Sequence, residues 1–286
     1  MSKPPTYTGS KQRRSSGAQR SQAAGRYQRK RRFESHEEHV LIYGIHAVEA
    51  VLANPGREVH AIYLTRNARN RLADALQNTV LEEAVEVEPK ELDRRLGADT
   101  VHQGALVKCG DLIEPALDEL IAVAKAGTHP IVVLDQITDP HNVGAVLRSC
   151  AVFGCAGVVM TRRHSPPLCE TVAKSASGAL ELVPVALIQN LAKGLAVLAG
   201  EGLEIIGLDG AGEGAIETAF ARRPTAIVLG AEGRGLRQST RQACTAIVRI
   251  HAQGLIASLN VSNAAAVALH THALVRQGVI PAAADD

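Results

Sequence analysis

The sequence of 286 residues contains no tryptophan, and aromatic residues make up only 2% of it, whereas hydrophobic residues make up 46%. A core of this composition consists of Val, Leu, Ile and Ala, which is typical of strands buried on both faces and of the helices that cover them. The sequence also lacks an apolar run of the ~18 residues that a membrane span requires. No apolar block follows the N-terminal charges, as a secretory signal would require. We therefore expect no association with a membrane.

The cysteines are few and scattered, and they form neither a Cys-x-x-Cys pair nor a Cys/His spacing typical of metal sites. The sequence therefore predicts no bound metal. An odd, dispersed set is more typical of a reducing compartment than of a disulfide framework, so we expect a cytoplasmic protein. The five residues are Cys109, Cys150, Cys155, Cys169 and Cys244.

Basic residues are distributed unevenly along the chain. The formal net charge is +2, but about ten of the 31 Lys and Arg residues precede Glu34, which leaves about 21 against 29 acidic residues. Residues 1–38 are also poor in large apolar side chains, so they predict a disordered basic tail. A cationic arm on an acidic body indicates a polyanion partner, and the aromatic residues within "RYQRKRRF" favour RNA. A merely solubilising extension is the alternative.

Two alternating strand–helix patterns follow the tail. Residues 39–110 predict a small α/β domain, residues 111–129 a linker with one amphipathic helix, and residues 130–280 a second α/β domain. Strands of the second domain, such as "PIVVLDQ", "GVVMT" and "TAIVLG", are apolar at nearly every position. Such strands are typical of a parallel sheet that helices cover on both faces. The predicted fold class is therefore α/β, with a parallel sheet in the second domain.

The stretch "TDPHNVGAVLRSC", residues 138–150, breaks the apolar pattern directly after a strand. Ligands of open α/β sheets lie beyond the carboxyl ends of the strands, so a polar segment here is a candidate site. Asn142 is predicted to be the N-cap of a helix from Val143 to Phe153, and Arg148 lies at the flank of its apolar face. An ordinary helix cap with an edge arginine is the alternative.

Two further polar stretches follow later strands. In "IVLGAEGRGLR", residues 227–237, glycines surround Glu232 and Arg234 and let the backbone approach a ligand closely. A simple glycine-rich turn is the alternative there. In "VRIHAQGLIASLNVSNAAA", residues 248–266, Gly254 permits a tight loop, and the Ser and Asn residues exceed what helix capping requires.

A fourth segment, "EIIGLDGAGEGA" at residues 204–215, imitates a nucleotide-binding turn. Its glycine spacing is not the dinucleotide pattern, and only a short helix follows it. We therefore predict an ordinary loop in this segment.

Taken in order, the three polar stretches resemble the motif set of the SpoU family of RNA ribose 2′-O-methyltransferases. The matching segments are "DPHNVGAVLRS", "IVLGAEGRGL" and "SLNVSNAAAVAL". In addition, "YGIHAVEAVL" and "HQGALVK" resemble the substrate-binding domain found in the ribosomal-RNA branch of the family. The resemblance extends over residues 40–276 and leaves the basic tail outside.

This resemblance implies a catalytic domain with a SPOUT-type trefoil knot that works as a homodimer, with S-adenosyl-L-methionine as cofactor. It implies that residues 39–110 bind the RNA, and that the substrate is a ribose in 23S ribosomal RNA, that of a guanosine. The implied catalytic residues are Asn142, Arg148, Glu232 and Asn260. The implied cofactor-binding residues are Leu229, Gly230, Glu232, Gly235, Ile250, Gly254, Ser258 and Leu259. His251 and Ala252 depart from the Pro-Met that the family pattern places after Ile250.

Arg148 is the catalytic residue that the resemblance implies, but a guanidinium hardly deprotonates in proteins. We therefore predict that Arg148 is a fixed positive charge that stabilises oxyanion character and grips a phosphate. Asn142 is predicted to orient the ribose, with Glu232 holding Arg148 or Asn142 in place. Two other functions stay open: a tRNA-directed methyltransferase, and a non-catalytic RNA-binding or ribosome-assembly factor with the same fold.

Overall fold

The structure is a computed structural model that describes residues 39–76, 81–127, 129–252, 254 and 258–283. The predicted basic tail, residues 1–38, lies outside the described residues. All described residues belong to one unit, Glu38–Asp286. They form two sheets with their helices, which we call the four-stranded lobe and the seven-stranded lobe.

The four-stranded lobe follows the alternation that the sequence predicts. Its strands, in the order β1-β4-β2-β3, are β1 (Val40–Tyr43), β2 (Val59–Leu64), β3 (Val85–Glu86) and β4 (Ala105–Cys109). Its helices are α1 (Ile45–Ala53), α2 (Arg66–Ala73) and α3 (Pro89–Leu96). Ile42, Val107 and Ile62 are in register across β1, β4 and β2 and are buried, so they share one core-facing side of the sheet. Helix α2 ends at Ala73, and residues 77–80 lie outside the described residues.

The seven-stranded lobe contains a parallel sheet, which confirms the predicted fold class. Its strands, in the order β7-β6-β5-β10-β8-β11-β9, are β5 (Ile131–Asp135), β6 (Gly157–Thr161), β7 (Val185–Ile188), β8 (Glu204–Leu208), β9 (Gly214–Ala215), β10 (Thr225–Gly230) and β11 (Ala246–Arg249). Its helices are α4 (Leu117–Gly127), α5 (Pro140–Phe153), α6 (Glu170–Ala176), α7 (Ala179–Leu182), α8 (Leu191–Gly200), α9 (Gln238–Gln242) and α10 (Val261–Arg276), with one 3₁₀ turn at Ile216–Thr218.

Strand β5 shows why the central strands are apolar throughout. Val132 and Leu134 pack into a core that includes α5 and α10, whereas Ile131 and Val133 pack into a second core that includes α4 and α8. Successive side chains of a strand point to opposite faces, so helices on both sides bury every position. Among the helices that the structure describes, none combines the length and apolarity that crossing a bilayer requires.

A buried polar contact joins the two lobes. Arg57, which follows α1, and Glu181 of α7 have side chains that are 1% and 2% exposed, and their charged atoms lie 3.8 Å apart. Asn54 Nδ2 donates a hydrogen bond to Glu181 Oε2 at 2.9 Å. Removing one member of this pair would leave a buried charge unpaired, which is strongly destabilising.

Candidate active site

Helix α5 begins at Pro140 rather than at the predicted Val143. Asp139 is the N-cap, since its side chain accepts a hydrogen bond from the backbone N–H of His141 at 2.9 Å. Pro is favoured at the first helical position because its fixed φ suits the helix and its missing N–H needs no partner there. The prediction that Asn142 caps the helix is therefore wrong. Asn142 lies inside the first turn and is buried, and its carboxamide binds other segments.

Three of the four predicted catalytic side chains meet at the carboxyl edge of the seven-stranded sheet. Asn142 Nδ2 donates to Glu232 Oε1 at 3.0 Å, and Asn260 Nδ2 donates to the same oxygen at 2.7 Å. Asn260 Nδ2 also donates to Asn142 Oδ1 at 2.9 Å. We call Asn142, Glu232 and Asn260 the polar triangle. It joins one residue from each of the three polar stretches.

The cap of helix α10 fixes the orientation of Asn260. Its Oδ1 accepts hydrogen bonds from the backbone N–H of Ser262 at 2.8 Å and from Ser262 Oγ at 2.6 Å. Because the carboxamide oxygen is engaged with the helix, the amide nitrogen is directed at the other two residues of the triangle. A single Asn therefore serves both the helix and the site.

Glu232 is presented by a tight turn that follows β10. The backbone N–H of Gly235 donates to the carbonyl of Ala231 at 2.9 Å and closes the turn. The strand end and the turn end pass so closely that a Cβ on Gly230 would lie 2.3 Å from the carbonyl carbon of Gly235. Glycine is required at position 230 for this steric reason, and the turn can then place Glu232 against the triangle.

A cavity of about 500 Å³ adjoins the polar triangle, and Glu232 belongs to both. Its walls are the segments after β8, β10 and β11 and the first turn of α10. The predicted cofactor residues that line it are Leu229, Gly230, Glu232, Gly235, Ile250, Ser258 and Leu259. Gly254 is exposed and is not among the described residues of the cavity wall.

Arg148 is not brought to the triangle within the described chain. It is exposed on α5, and among the described residues no hydrogen bond or ion pair to it is present. Six positions along a helix correspond to a rotation of ~240° and an advance of ~9 Å from Asn142, so the two side chains diverge. Of the two residues that Glu232 was expected to hold, it therefore contacts Asn142 and not Arg148.

One part of the cavity wall was not predicted from the sequence. Asp209 and Gly210 line the cavity, although their segment is predicted to be an ordinary loop. Asp209 also accepts a hydrogen bond from Arg241 Nη1 at 2.9 Å, and the fully buried Asp135 accepts one from Arg237 Nε at 2.6 Å. One signal could have found both carboxylates, since two strands end in the same Leu-Asp pair, "VVLD" and "IIGLD".

The side chains around the site can form hydrogen bonds and orient a bound molecule. Burial raises the pKa of the Cys244 thiol to about 11, with Asp135 adding to the rise, so this thiol stays protonated at neutral pH. In the part of the chain that the structure describes, no cluster of three or more His, Cys, Asp or Glu residues could hold a metal ion. The triangle itself consists of two carboxamides and one carboxylate, which are suited to positioning a hydroxyl group.

Comparison with known proteins matches both lobes. Residues 129–270 match the model of the SpoU rRNA Methylase family, and residues 41–112 match the model of RNA 2′-O ribose methyltransferase substrate binding. The chain belongs to the SpoU rRNA methylase family. The resemblance found in the three polar stretches is thereby confirmed, and the SpoU region contains the whole polar triangle as well as Arg148.

Two relatives of this SpoU family member are more than a third identical to it over the residues that align. The 23S rRNA (guanosine-2′-O-)-methyltransferase RlmB of Ralstonia nicotianae is 37% identical over 245 residues, which cover 85% of this chain and 98% of the relative. The enzyme of the same name from Vibrio cholerae is 38% identical over 237 residues, which cover 80% of this chain and 94% of the relative.

Solved structures share the fold of this SpoU family member. The SpoU methyltransferase AviRb from Streptomyces viridochromogenes has a TM-score of 0.69 at 19% identity and covers 85% of this chain and 91% of its own. An AdoMet-bound rRNA methyltransferase from Sinorhizobium meliloti has a TM-score of 0.68 at 19% identity and covers 85% of this chain and 88% of its own. At these identities the likeness concerns the fold alone.

Proposed function

We propose that this chain transfers a methyl group from S-adenosyl-L-methionine to the 2′-hydroxyl of a guanosine ribose in 23S ribosomal RNA. The observation that carries the proposal is the polar triangle beside the cavity, because three family motifs converge there. The relatives named for guanosine 2′-O-methylation of 23S rRNA, at 37% and 38% identity, support the choice of substrate. A protein with this substrate acts in the cytoplasm, where ribosomal RNA is assembled.

The cavity suits S-adenosyl-L-methionine in size and in the groups that it presents. Its volume of about 500 Å³ lies within the ~300–1,000 Å³ typical of small-molecule sites. The apolar side chains of Leu229, Ile250 and Leu259 flank the glycine turn, whose small residues allow close approach to the backbone. We assign the cofactor to these residues and to Gly230, Glu232, Gly235 and Ser258, which also line the cavity. When bound, the cofactor supplies a methyl group on a sulfonium, which is a good leaving group.

In this mechanism the triangle orients the ribose. Hydrogen bonds to Glu232 and Asn260 hold the carboxamide of Asn142, so its orientation is fixed before the RNA arrives. Fixing a nucleophilic hydroxyl in line with the bond that breaks can contribute ~7–11 kcal/mol. Asn142 is therefore assigned to the ribose, and Glu232 and Asn260 are assigned to holding it.

The proposed active form is a homodimer, which gives Arg148 a place in the site. Arg148 and Val152 of α5 are exposed, as are Val267 and His270 of α10, and Val152 is 72% exposed. The ring of His270 lies 5.9 Å from that of Phe153, so the two helices form one surface. A two-fold contact through this surface buries its apolar residues and presents Arg148 to the other protomer. There its guanidinium is a fixed positive charge for the ribose oxygen and a neighbouring phosphate.

We also propose that residues 39–110 are the RNA-binding domain, 111–129 the linker and 130–280 a trefoil-knotted catalytic domain. The segment after β11 lies beside the segments after β8 and β10 around the cavity and continues into α10, which packs with α5. The match to the SpoU family over residues 129–270 supports the knot. The basic tail, residues 1–38, adds salt-dependent affinity for RNA.

The proposed function is tested by incubating the full chain with S-adenosyl-L-methionine and 23S rRNA from a strain that lacks the gene, followed by mapping of ribose methylation. The expected result is one 2′-O-methylguanosine in 23S rRNA. The same assay is run with tRNA, and methylation of tRNA alone would show that tRNA, and not 23S rRNA, is the substrate. No methylation of either RNA, together with intact cofactor binding, would support a non-catalytic RNA-binding factor instead.

A further inference from the structure

We propose that Asp135 and Asp209 are positioning residues of the methyl-transfer site: together they clamp the turn at residues 230–237, so that Glu232 reaches Asn142. The proposal rests on the proposed function for its rate measurement. It assigns a role to two carboxylates that do not belong to the polar triangle.

The clamp follows from strand order. Strand β10 lies between β5 and β8, and the register pairs Gly230 with Asp135 and Leu229 with Leu208. Asp209, the next residue after Leu208, therefore flanks the end of β10 on one side and Asp135 flanks it on the other. Each neighbouring strand thus delivers one carboxylate to the base of the turn.

The two carboxylates bind successive backbone amides at that base. Arg237 N–H donates to Asp135 Oδ2 at 3.0 Å, and Leu236 N–H donates to Asp209 Oδ2 at 3.4 Å. Each carboxylate also binds one arginine side chain, either at the last residue of the turn or four residues beyond it. Arg237 Nε donates to Asp135 Oδ1 at 2.6 Å, and Arg241 Nη1 donates to Asp209 Oδ2 at 2.9 Å.

Burial makes these contacts specific. The side chain of Asp135 is 0% exposed and that of Asp209 is 12% exposed, whereas their arginine partners are 40% and 38% exposed. Buried carboxylates need defined hydrogen-bond donors. The donors to Asp135 are the backbone N–H and the guanidinium of Arg237, whereas Asp209 also accepts from the backbone N–H of Ala211 at 2.9 Å. A shift of the turn would therefore leave the buried charge of Asp135 unpaired.

The tip of the turn depends on its base. Residues 231–235 are closed by one backbone hydrogen bond, from Gly235 to Ala231, and Glu232, Gly233 and Arg234 are exposed. A misplacement of about 1 Å in a catalytic group can lower a rate on the order of 100-fold. The positions of the cavity wall and of Glu232 are therefore set by the clamp.

The two halves of the clamp have separable effects. Asp209 lines the cavity, so Asp209→Asn is expected to weaken binding of S-adenosyl-L-methionine, by about fivefold or more in Kd. Asp135 does not line it in the described structure, so Asp135→Asn is expected to lower the single-turnover rate by about tenfold or more and to weaken cofactor binding less than Asp209→Asn does.

A control variant and two variants at Arg237 are compared with Asp135→Asn. Glu114→Gln serves as the control. It breaks the ion pair of Glu114 with Arg162, which follows strand β6, beside β5, and lies outside the turn. Arg237→Lys keeps the charge but loses the planar fork, so its rate should lie between wild type and Asp135→Asn. Adding Arg237→Lys to Asp135→Asn should cause little further loss, because both changes break one contact. If Asp135→Asn does not fold, Arg237→Lys alone carries the test.

Amide hydrogen exchange at residues 231–236 gives a readout that does not require activity. We expect faster exchange there in Asp135→Asn and Asp209→Asn than in Glu114→Gln. Exchange and rates indistinguishable from that control would overturn the clamp. If the wild-type chain methylates no RNA, the proposed function fails, whereas exchange and cofactor affinity still decide the clamp.

Discussion

Asn260 Nδ2 lies 2.9 Å from Asn142 Oδ1, although 118 residues separate them in the chain. This contact brings the first turn of α5 to the first turn of α10, and Glu232 closes the triangle by accepting from both amides. Each carboxamide is thereby fixed by the other two residues. The triangle therefore behaves as one unit, and the loss of any member affects the remaining two.

Replacement of Asn142 by Ala should separate chemistry from cofactor binding. We expect the single-turnover methyl-transfer rate to fall by about 100-fold or more, because the ribose loses an orienting group. The Kd of S-adenosyl-L-methionine should stay close to wild type, since Asn142 is not among the described residues of the cavity wall. Asn190→Ala is the control: it removes the cap of α8 and costs about 1 kcal/mol of stability without changing the rate. An equal loss of rate and cofactor affinity in Asn142→Ala would contradict the assignment.

Arg148 should act on the site of the other protomer. Arg148→Ala and Asn142→Ala are each expected to be inactive as purified homodimers. After unfolding and refolding together, half of the dimers are mixed, and each mixed dimer carries one intact site, so about a quarter of wild-type activity should return. Activity is measured against the same protocol applied to each variant alone. No recovery, with mixed dimers demonstrated by mass spectrometry, would place Arg148 in its own protomer's site.

Gly144→Ala should destabilise the seven-stranded lobe. A Cβ at position 144 would lie 1.9 Å from Ser175 Oγ and 2.8 Å from the backbone nitrogen of Ala176, so α5 and α6 would have to separate. Overpacking of this kind costs about 1–3 kcal/mol. Gly200→Ala, at a helical position with nothing within 4 Å of the added Cβ, should be neutral or stabilising by up to about 1 kcal/mol. Urea unfolding of the two variants measures the difference, and equal midpoints would refute it.

Stability should fall in mild acid because of His272. Burial lowers the pKa of this imidazole from 6.5 to about 4, with Arg276 adding to the effect. Its ring packs edge-on against Phe220 at 5.3 Å, and within the described structure its Nε2 has no hydrogen-bond partner. Below pH 6.5 the imidazole takes up a proton in the unfolded chain, whereas it stays neutral in the folded chain. Above pH 6.5 this group therefore costs no stability. As the pH falls toward 4, the free energy of unfolding decreases by roughly 3 kcal/mol because of it.

The comparison of wild type with His272→Leu isolates this effect from other titrating groups. Urea unfolding at pH 7 and pH 4.5 should show a smaller loss of stability in the variant, since a leucine cannot take up a proton in the unfolded chain. Equal losses in the two proteins would show that His272 does not cause the acid sensitivity.

Deletion of residues 1–38 should weaken RNA binding and reduce its dependence on salt. Each phosphate contact that is lost lowers the slope of log K against log salt by about 0.7 for single-stranded RNA. Cofactor affinity should not change, because the described cavity wall is formed by the seven-stranded lobe. Fluorescence anisotropy at several salt concentrations measures the slope. An unchanged slope would leave the tail without a role in RNA binding.

Local patterns were sufficient for the parallel sheet and for most of the site. The Val/Ile-rich strands β5, β6 and β10 were predictable because burial on both faces leaves no alternation of polar residues. The polar triangle was predictable as a set because each member follows a strand, and the carboxyl ends of parallel strands meet at one edge. The cap of α5 was not, since Asp139 and Asn142 are both good caps and only the packed structure chooses between them.

The strands, the helices that cover them and the three polar stretches follow from local sequence, because they depend on hydrophobic spacing and turn chemistry within about ten residues. Which distant side chains touch depends instead on how the chain packs. Asp135 meets Arg237 across 102 residues because β5, β10 and β8 lie side by side, and Arg148 faces away from the triangle because of its position on the helix. Contacts of this kind depend on strand order and register, and local periodicity carries no information about either.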